Sequence, residues 1–459
     1  MKIVIVGGNH AGIAAARRIR EDYPEDEVYI FEKSHEVGFV SQTIPLFLMG
    51  QQKLDTQGNY TNPDEIRKLG INLYIETEVT SVDVKEKLVK YKNEEKKEYG
   101  EIVYDKLIMA SGSYPSLPPT GGKVGESLFL IKDKHDALVL DHFVQHAKHV
   151  AVIGAGLVGV EVSRILAKRG LQVTLIHARK RILNDYLDDV MSIETEKQLE
   201  KEGIRVLLNM RARNYETVEK KLIRRPRVKI SLGIDDDITV DGVIVSTGFR
   251  PNSYLLAGQV ETGDKGAILV DKYMHSSNPD ILAVGDCATT YMDLIDRNVY
   301  NPHASDAFRQ GAVAGINIHE KKQPIGLTTG TYRFNMEDFF IAKTGLTLFE
   351  AMEQGWDADF VNYRNEVINS DDFASGCLVY ERKTHKVLGI QVLGTRDISY
   401  YVNTFSYAIQ TDAVIEDLEF SDFYFEHGYK DPMSFASKVL HLIREKEKEA
   451  LANQEEDNS

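Results

Sequence analysis

At 459 residues the chain is too long for one hydrophobic core and predicts roughly three domains of ordinary size. Its 42% hydrophobic and 27% charged residues are those of a soluble globular protein, and no apolar run approaches the roughly 18 residues that cross a bilayer. A formal charge of −15 argues against a nucleic-acid partner, and two cysteines, Cys287 and Cys377, leave no disulfide framework, CxxC pair or thiolate metal site.

The short apolar run Met1 to Val6 flows straight into a glycine cluster. It therefore reads as a buried parallel strand rather than a cleaved leader, and the expected location is the cytoplasm. Lys2 to Val6 is a strand, Gly7-Gly8-Asn9-His10-Ala11-Gly12 a glycine-rich turn, Ala11 to Arg20 a helix, and Glu27 to Phe31 a second strand ending at Glu32. This is a βαβ unit of the Rossmann type: the glycines permit a tight turn and close backbone approach, and the helix start receives a pyrophosphate. Glu32 lies 20 residues past Gly12, where an acid accepts hydrogen bonds from an adenosine ribose. Asn9 stands where the middle glycine would be.

Tyr104 to Pro115 is an apolar strand that breaks on Ala110-Ser111-Gly112-Ser113, a run small enough for close backbone approach to a ligand. A second fingerprint, Gly154-Ala155-Gly156-Leu157-Val158-Gly159, begins 147 residues after the first, about one domain length. Its βαβ unit runs to the strand Gln172 to Ile176, which ends in His177 rather than an acid and is followed by Ala178, Arg179 and Lys180. That positive loop suits a 2′-phosphate, so NADPH is expected to serve at least as well as NADH. Asp241 to Asn252 repeats the strand-then-glycine pattern with Gly248, and Ile281 to Ala288 is a buried strand ending in Gly285-Asp286. From about Gly330 short aromatic strands precede helices, an α+β texture without a glycine fingerprint. Arg444 to Ser459 is a charged stretch expected to be a solvated helix or a fraying tail.

Taken together and in order, these motifs resemble the flavin-dependent pyridine nucleotide disulfide oxidoreductase superfamily. Within it, His10-Ala11-Gly12, Phe39-Val40-Ser41 and Asp422-Phe423-Tyr424 look most like the NADH oxidase, NADH peroxidase and coenzyme A disulfide reductase branch. The resemblance implies an α/β protein with two Rossmann-like domains and a C-terminal α+β dimerisation domain. The FAD domain would be discontinuous, residues 1–115 and 241–322, around an NAD(P)H domain at 116–240, with 323–459 forming a homodimer contact. It also implies that Gly7, Gly8, Gly12 and Glu32 hold the ADP half of FAD, with Ser111, Gly112, Gly248, Gly285 and Asp286 along the flavin. Gly154, Gly156 and Gly159 would cradle NAD(P)H, with His177, Arg179 and Lys180 at its adenosine end. Cys287 is expected to be a packed, inert thiol.

The chain departs from that branch where its redox cysteine would stand: Phe39-Val40-Ser41 continues with Gln42. An amide forms no thiolate, sulfenic acid or mixed disulfide, so peroxidase and disulfide-reductase chemistry cannot be carried over. Leu157 replaces a tyrosine that covers the flavin in relatives, and Glu161 matches a position beside the nicotinamide. His10 matches a histidine that bonds oxygen species there; His427 and Tyr429 are weaker candidates, expected at the surface. The resulting expectation is an FAD enzyme that takes hydride from NAD(P)H and passes electrons to dioxygen, forming hydrogen peroxide, or to a small acceptor, with His10, Gln42 and Glu161 at the reacting centre. Two alternatives stay open: a flavin reductase of a quinone or partner protein, and a non-enzymatic redox sensor.

Overall fold

The computed structural model describes residues 1–93, 95–117, 127–218, 227–233, 237–335, 338–423 and 427–457. Contacts group the chain into two units, one of residues 1–178, 210–292 and 296–328, the other of 179–209, 293–295 and 329–459. Residues 179–209, expected within the 116–240 segment, thus group with the C-terminal residues.

In the first unit, β1 (Lys2–Val6) is apolar at almost every position because both its faces are covered, as in other parallel sheets. The turn at Gly7 leads into α1 (His10–Asp22), and the chain returns through β2 (Glu27–Phe31). Then come β3 (Asn72–Tyr74), β4 (Lys106–Met109), β5 (Ser113–Pro115) and β6 (Leu128–Phe129). The second βαβ unit is β7 (His149–Ile153), α2 (Leu157–Lys168) and β8 (Gln172–Ile176). It is followed by β9 (Gly242–Val245), β10 (Phe249–Pro251), β11 (Ile281–Ala283) and α3 (Ala304–Ile316).

The first parallel sheet has the order β11-β4-β1-β2-β3, the second includes β8-β7-β9-β6. Central strands with crossovers on either side put both glycine turns at the carboxyl ends of β1 and β7, where doubly wound sheets bind ligands. Strand β11 extends the first sheet beside β4, and α3 then lies flush on α1. The contact is possible because α3 carries Gly311, where a Cβ would come within 2.2 Å of the Ala11 carbonyl oxygen. The segment after residue 281 is thereby built into the same lobe as the N-terminus.

The second unit is centred on an antiparallel sheet of β12 (Tyr332–Asn335), β13 (Phe340–Gly345), β14 (Ala358–Glu366), β15 (Phe373–Glu381) and β16 (Val387–Gly394), in the order β12-β13-β16-β15-β14. Helix α4 (Phe435–Asp457) buries Phe435, Ala436, Val439, Leu440 and Ile443, a seam at helical spacing, in that unit's core. The stretch from Arg444 is helical to Asp457, and near its start Lys446 reaches Asp359 at 2.6 Å and Glu447 reaches His385 at 2.7 Å. Residues 458 and 459, and Tyr424 of the Asp422-Phe423-Tyr424 motif, lie outside the described residues.

Candidate functional site

Gly7 turns the chain at φ +111°, and a Cβ there would stand 2.2 Å from the Ala110 carbonyl oxygen. At Gly12 a Cβ would stand 2.0 Å from the Gly7 carbonyl oxygen. Both glycines are therefore required by the fold itself. Gly8 N–H donates to Glu32 Oε2 at 2.7 Å, while Glu32 Oε1 accepts from the Ser34 amide at 2.9 Å and its hydroxyl at 2.8 Å. The carboxylate is held at the lip of the glycine turn, with an orientation set before any ribose arrives.

The second turn repeats this geometry. Gly154 has φ +101° with a Cβ position 2.2 Å from the Ser246 oxygen, and at Gly159 a Cβ would lie 1.9 Å from the Gly154 oxygen. Ala155 N–H donates to His177 Nδ1 at 3.1 Å, the counterpart of the Gly8 to Glu32 bond. An accepting Nδ1 fixes the ring proton on Nε2, so a neutral imidazole occupies the acid's place. Gly156 has no protein atom within 4 Å of its Cβ direction, so neither packing nor backbone conformation calls for glycine there. In the second unit, Arg179 pairs with Asp185 at 3.1 Å and Lys180 with Asp189 at 3.2 Å, all four exposed.

Around Gly285-Asp286 a polar cluster forms that the sequence reading only partly anticipated. Ser113 Oγ donates to Asp286 Oδ2 at 2.7 Å, and Lys132 Nζ lies 2.8 Å from Ser113 Oγ and 3.4 Å from that carboxylate oxygen. The Lys132 ammonium also sits 4.6 Å from the Phe249 ring centroid. Gly285, at φ +72°, lets Asp286 approach α1, since a Cβ there would be 3.0 Å from that of Ala11. Asn252 ties the two strand ends together, donating its N–H to Gly112 O at 2.9 Å and accepting from Ser111 Oγ at 2.6 Å through its carbonyl. Gly112 and Gly248 have open space at their Cβ directions and positive φ. Lys132, Ser113 and Asn252 were the residues missed; Ser113 and Asn252 lie inside the quoted strand-end motifs, whereas Lys132 carried no pattern of its own.

His10, the first residue of α1, stacks on Tyr60 at 5.5 Å between ring centroids, and its Nε2 is buried without a hydrogen-bond partner among the described residues. Burial lowers its pKa; Asp286 and Lys132 act on it in opposite senses, so it shares their electrostatic neighbourhood. Gln42 is exposed at the cap of the helix Thr43–Leu48. Glu161 lies on α2 just past the second turn, where burial alone pushes its carboxyl up to about 8. Cys287 is fully buried, its thiol 3.3 Å from the carbonyls of Met109 and Val284, and Cys377 is fully buried in β15. Burial raises both thiol pKa values, so neither is a ready thiolate. Of the C-terminal candidates, His427 is exposed, but Tyr429 is buried, against the expected surface placement, because it packs into the second unit's core.

Two glycine cradles at the ends of two parallel sheets, one with a carboxylate and one with an imidazole at its lip, define a protein that binds two dinucleotides. The residues present fit both: the glycines leave backbone room, Lys132 and Asp286 supply charge and hydrogen bonds, and His10 offers an unpaired buried nitrogen. A family model described as pyridine nucleotide-disulphide oxidoreductase matches residues 1–311. An NADH oxidase of Enterococcus faecalis is 34% identical over 449 residues, covering 97% of this chain and 100% of that protein. The structure of a water-forming NADH oxidase from Lactobacillus brevis bound to NADH superposes with a TM-score of 0.92 at 30% identity, over 98% of this chain and 100% of that one. An NAD-dependent persulfide reductase from A. fulgidus superposes at 0.89 with 26% identity, over 98% and 84%. The chain belongs to the pyridine nucleotide-disulphide oxidoreductase family, and its cofactor and cosubstrate are FAD and NAD(P)H.

Proposed function

We propose that the protein is an FAD-dependent NAD(P)H oxidase that reduces dioxygen to hydrogen peroxide and releases it, acting as a cytoplasmic homodimer. Bound FAD supplies the two-electron transfer from NAD(P)H to the acceptor. Gly7, Gly8, Gly12 and Glu32 bind its adenylate half, with Ser111, Gly112, Gly248 and Gly285 giving backbone room and Asp286 and Lys132 orienting the rest. Gly154, Gly156 and Gly159 take the pyrophosphate of the nicotinamide nucleotide, and neutral His177 leaves its 2′ position open to hydroxyl or phosphate. Arg179 and Lys180 turn to a 2′-phosphate at the expense of their exposed pairs with Asp185 and Asp189, an exchange that costs little at a solvated surface. Glu161, carried as a neutral acid, adds no negative charge beside the hydride donor, and His10 Nε2 bonds dioxygen or peroxide.

The observation that carries the peroxide product is Gln42 in place of a thiol, together with the burial of both cysteines. The overall reaction is then NAD(P)H plus a proton and dioxygen giving NAD(P)⁺ and hydrogen peroxide. Taking peroxide on to water would need a nucleophile to accept its oxygen, and the amide of Gln42 cannot. The similar Lactobacillus brevis enzyme forms water, so the product is the discriminating measurement. Nicotinamide loss and peroxide gain are followed together in catalase-free protein, with NADH and NADPH in turn. About one peroxide per nucleotide is expected from the two-electron stoichiometry, with NADPH used at least as well as NADH. Consumption of two nucleotides per dioxygen without peroxide would defeat the product assignment.

A further inference from the structure

The ring of His10 packs on that of Tyr60 with centroids 5.5 Å apart and planes 15° from parallel, the offset stack that aromatic pairs prefer. Its Nε2 is buried and has no hydrogen-bond partner among the described residues, so no bond at that atom sets the plane of the imidazole. The stacked face does. Tyr60 is itself held through the backbone and through its neighbour. Its amide donates to the Gly38 carbonyl at 3.1 Å, and the Gly38 amide donates in turn to the Gly8 carbonyl at 3.3 Å, in the glycine turn that leads into His10 and α1. Next to Tyr60, Thr61 Oγ1 accepts from Arg17 of α1 at 3.4 Å and donates to Glu65 at 2.9 Å. The Val40 amide joins the same segment, donating to the Gly58 carbonyl at 2.8 Å.

Residues 58–60 thus lie against 38–40, the run that leads into Gln42, while the Tyr60 ring lies on His10. The fit is close: Gly38 has φ +69°, and a Cβ there would stand 2.7 Å from Thr61 Cγ2. Tyr60 is 38% exposed whereas His10 Nε2 is buried, so the tyrosine screens one face of the imidazole from water. The stack is a contact of ring faces, and phenylalanine would serve it as well as tyrosine. Holding a reacting group in place matters to rate, because misplacement by about 1 Å can cost on the order of a hundredfold. We propose that Tyr60 is a positioning residue for the reaction with oxygen, its ring fixing the His10 imidazole so that Nε2 meets the bound oxygen species. This rests on the reading of His10 as the group that bonds dioxygen or peroxide.

In the test, the flavin-saturated protein is reduced anaerobically and mixed with air-saturated buffer, and its reoxidation is followed by absorbance. Tyr60→Leu should slow this step by about tenfold or more, and His10→Ala likewise. Tyr60→Phe, which keeps the ring, should stay within about twofold of wild type. FAD content and the rate of reduction by NAD(P)H should hold in all of these variants. In the double variant Tyr60→Leu/His10→Ala the leucine should add nothing, because the group it misplaces is gone. A second readout is independent of turnover: carbethoxylation of His10 by diethyl pyrocarbonate, followed by peptide mass spectrometry, should run several-fold faster in Tyr60→Leu than in wild type or Tyr60→Phe. The proposal fails if Tyr60→Leu reoxidises normally while His10→Ala is slow, if the two effects multiply in the double variant, if Tyr60→Phe is as slow as Tyr60→Leu, or if carbethoxylation of His10 is unchanged. Loss of FAD from Tyr60→Leu would overturn it too, by assigning the ring to the upkeep of the fold. Normal reoxidation in His10→Ala would instead remove the reading of His10 on which the proposal stands.

Discussion

Glu161 carries a proton at pH values where a carboxyl in water has lost it, because burial holds its pKa at about 8 instead of 4.5. In the unfolded chain the group ionises near 4.5, so between there and about 8 the folded state binds the extra proton. Stability therefore falls as pH rises through that window and levels off above it. Glu161→Gln, which keeps the shape and removes the titration, is expected to show a shallower decline: thermal unfolding from pH 5 to 9 should find the variant gaining on the wild type up to about pH 8. Parallel unfolding curves would show that the carboxyl is already ionised in the folded protein. At this scale the sequence was informative about residue type but not about setting. Glu161 was visible as an acid past a glycine turn; its protonation state depends on what encloses it. Likewise His177 was legible as a missing acid, whereas its neutral tautomer follows from the Ala155 amide that points at Nδ1.

The two βαβ units show why element boundaries could be read so closely. Strands Lys2–Val6, Glu27–Phe31 and Gln172–Ile176 begin and end where the apolar run meets glycine or charge, since a buried parallel strand tolerates neither in its interior. Within each turn the glycines divide into those the backbone needs and those it does not. Gly154→Ala forces a side chain into φ +101° and to within 2.2 Å of a carbonyl oxygen, and is expected to cost at least about 2 kcal/mol and several degrees in Tm. Gly156→Ala meets open space at an ordinary φ of −77°, so Tm should hold while the KM for NAD(P)H rises with FAD content unchanged. A KM that does not move would mean no ligand passes that glycine. The C-terminal helix was harder to place from sequence, because most of its residues from Arg444 onward are charged. Lys446 and Glu447 find partners distant in sequence, Asp359 and His385, that no local pattern announces.

Across the molecule charged groups gather in local clusters, one of them around His385. Its two ring nitrogens face Glu416 at 2.5 Å and Glu447 at 2.7 Å, joining the turn between β15 and β16 to the helix Ile415–Glu419 and to α4. Burial pulls its pKa down, yet the two carboxylates outweigh burial and hold it above the ordinary 6.5. The clamp's contribution to stability is thus fully present below pH 6.5 and is lost as pH rises through the raised folded value. His385→Gln should accordingly lower Tm and speed amide exchange in residues 435–457 at pH 6, with the difference from wild type shrinking as pH climbs. A difference that stays constant with pH would mean the imidazole is neutral in the clamp.

The sequence by itself determined the α/β class, the two dinucleotide turns, the acid and the histidine at their lips, and the absence of a thiol at position 42. These are local properties, written in spacing, glycine and side-chain chemistry, and they survive without knowledge of what lies across the fold. Tertiary structure decided what only convergence can. It brought Ser113, Lys132 and Asp286 into one cluster across 173 residues of chain, locked Ser111 to Asn252, buried both cysteines, and grouped residues 179–209 with the C-terminal sheet. It also stacked His10 on Tyr60, where no pattern in the sequence links them. Distance along the chain carries no information about such meetings, because they are set by which strands lie side by side and which helices pack across them.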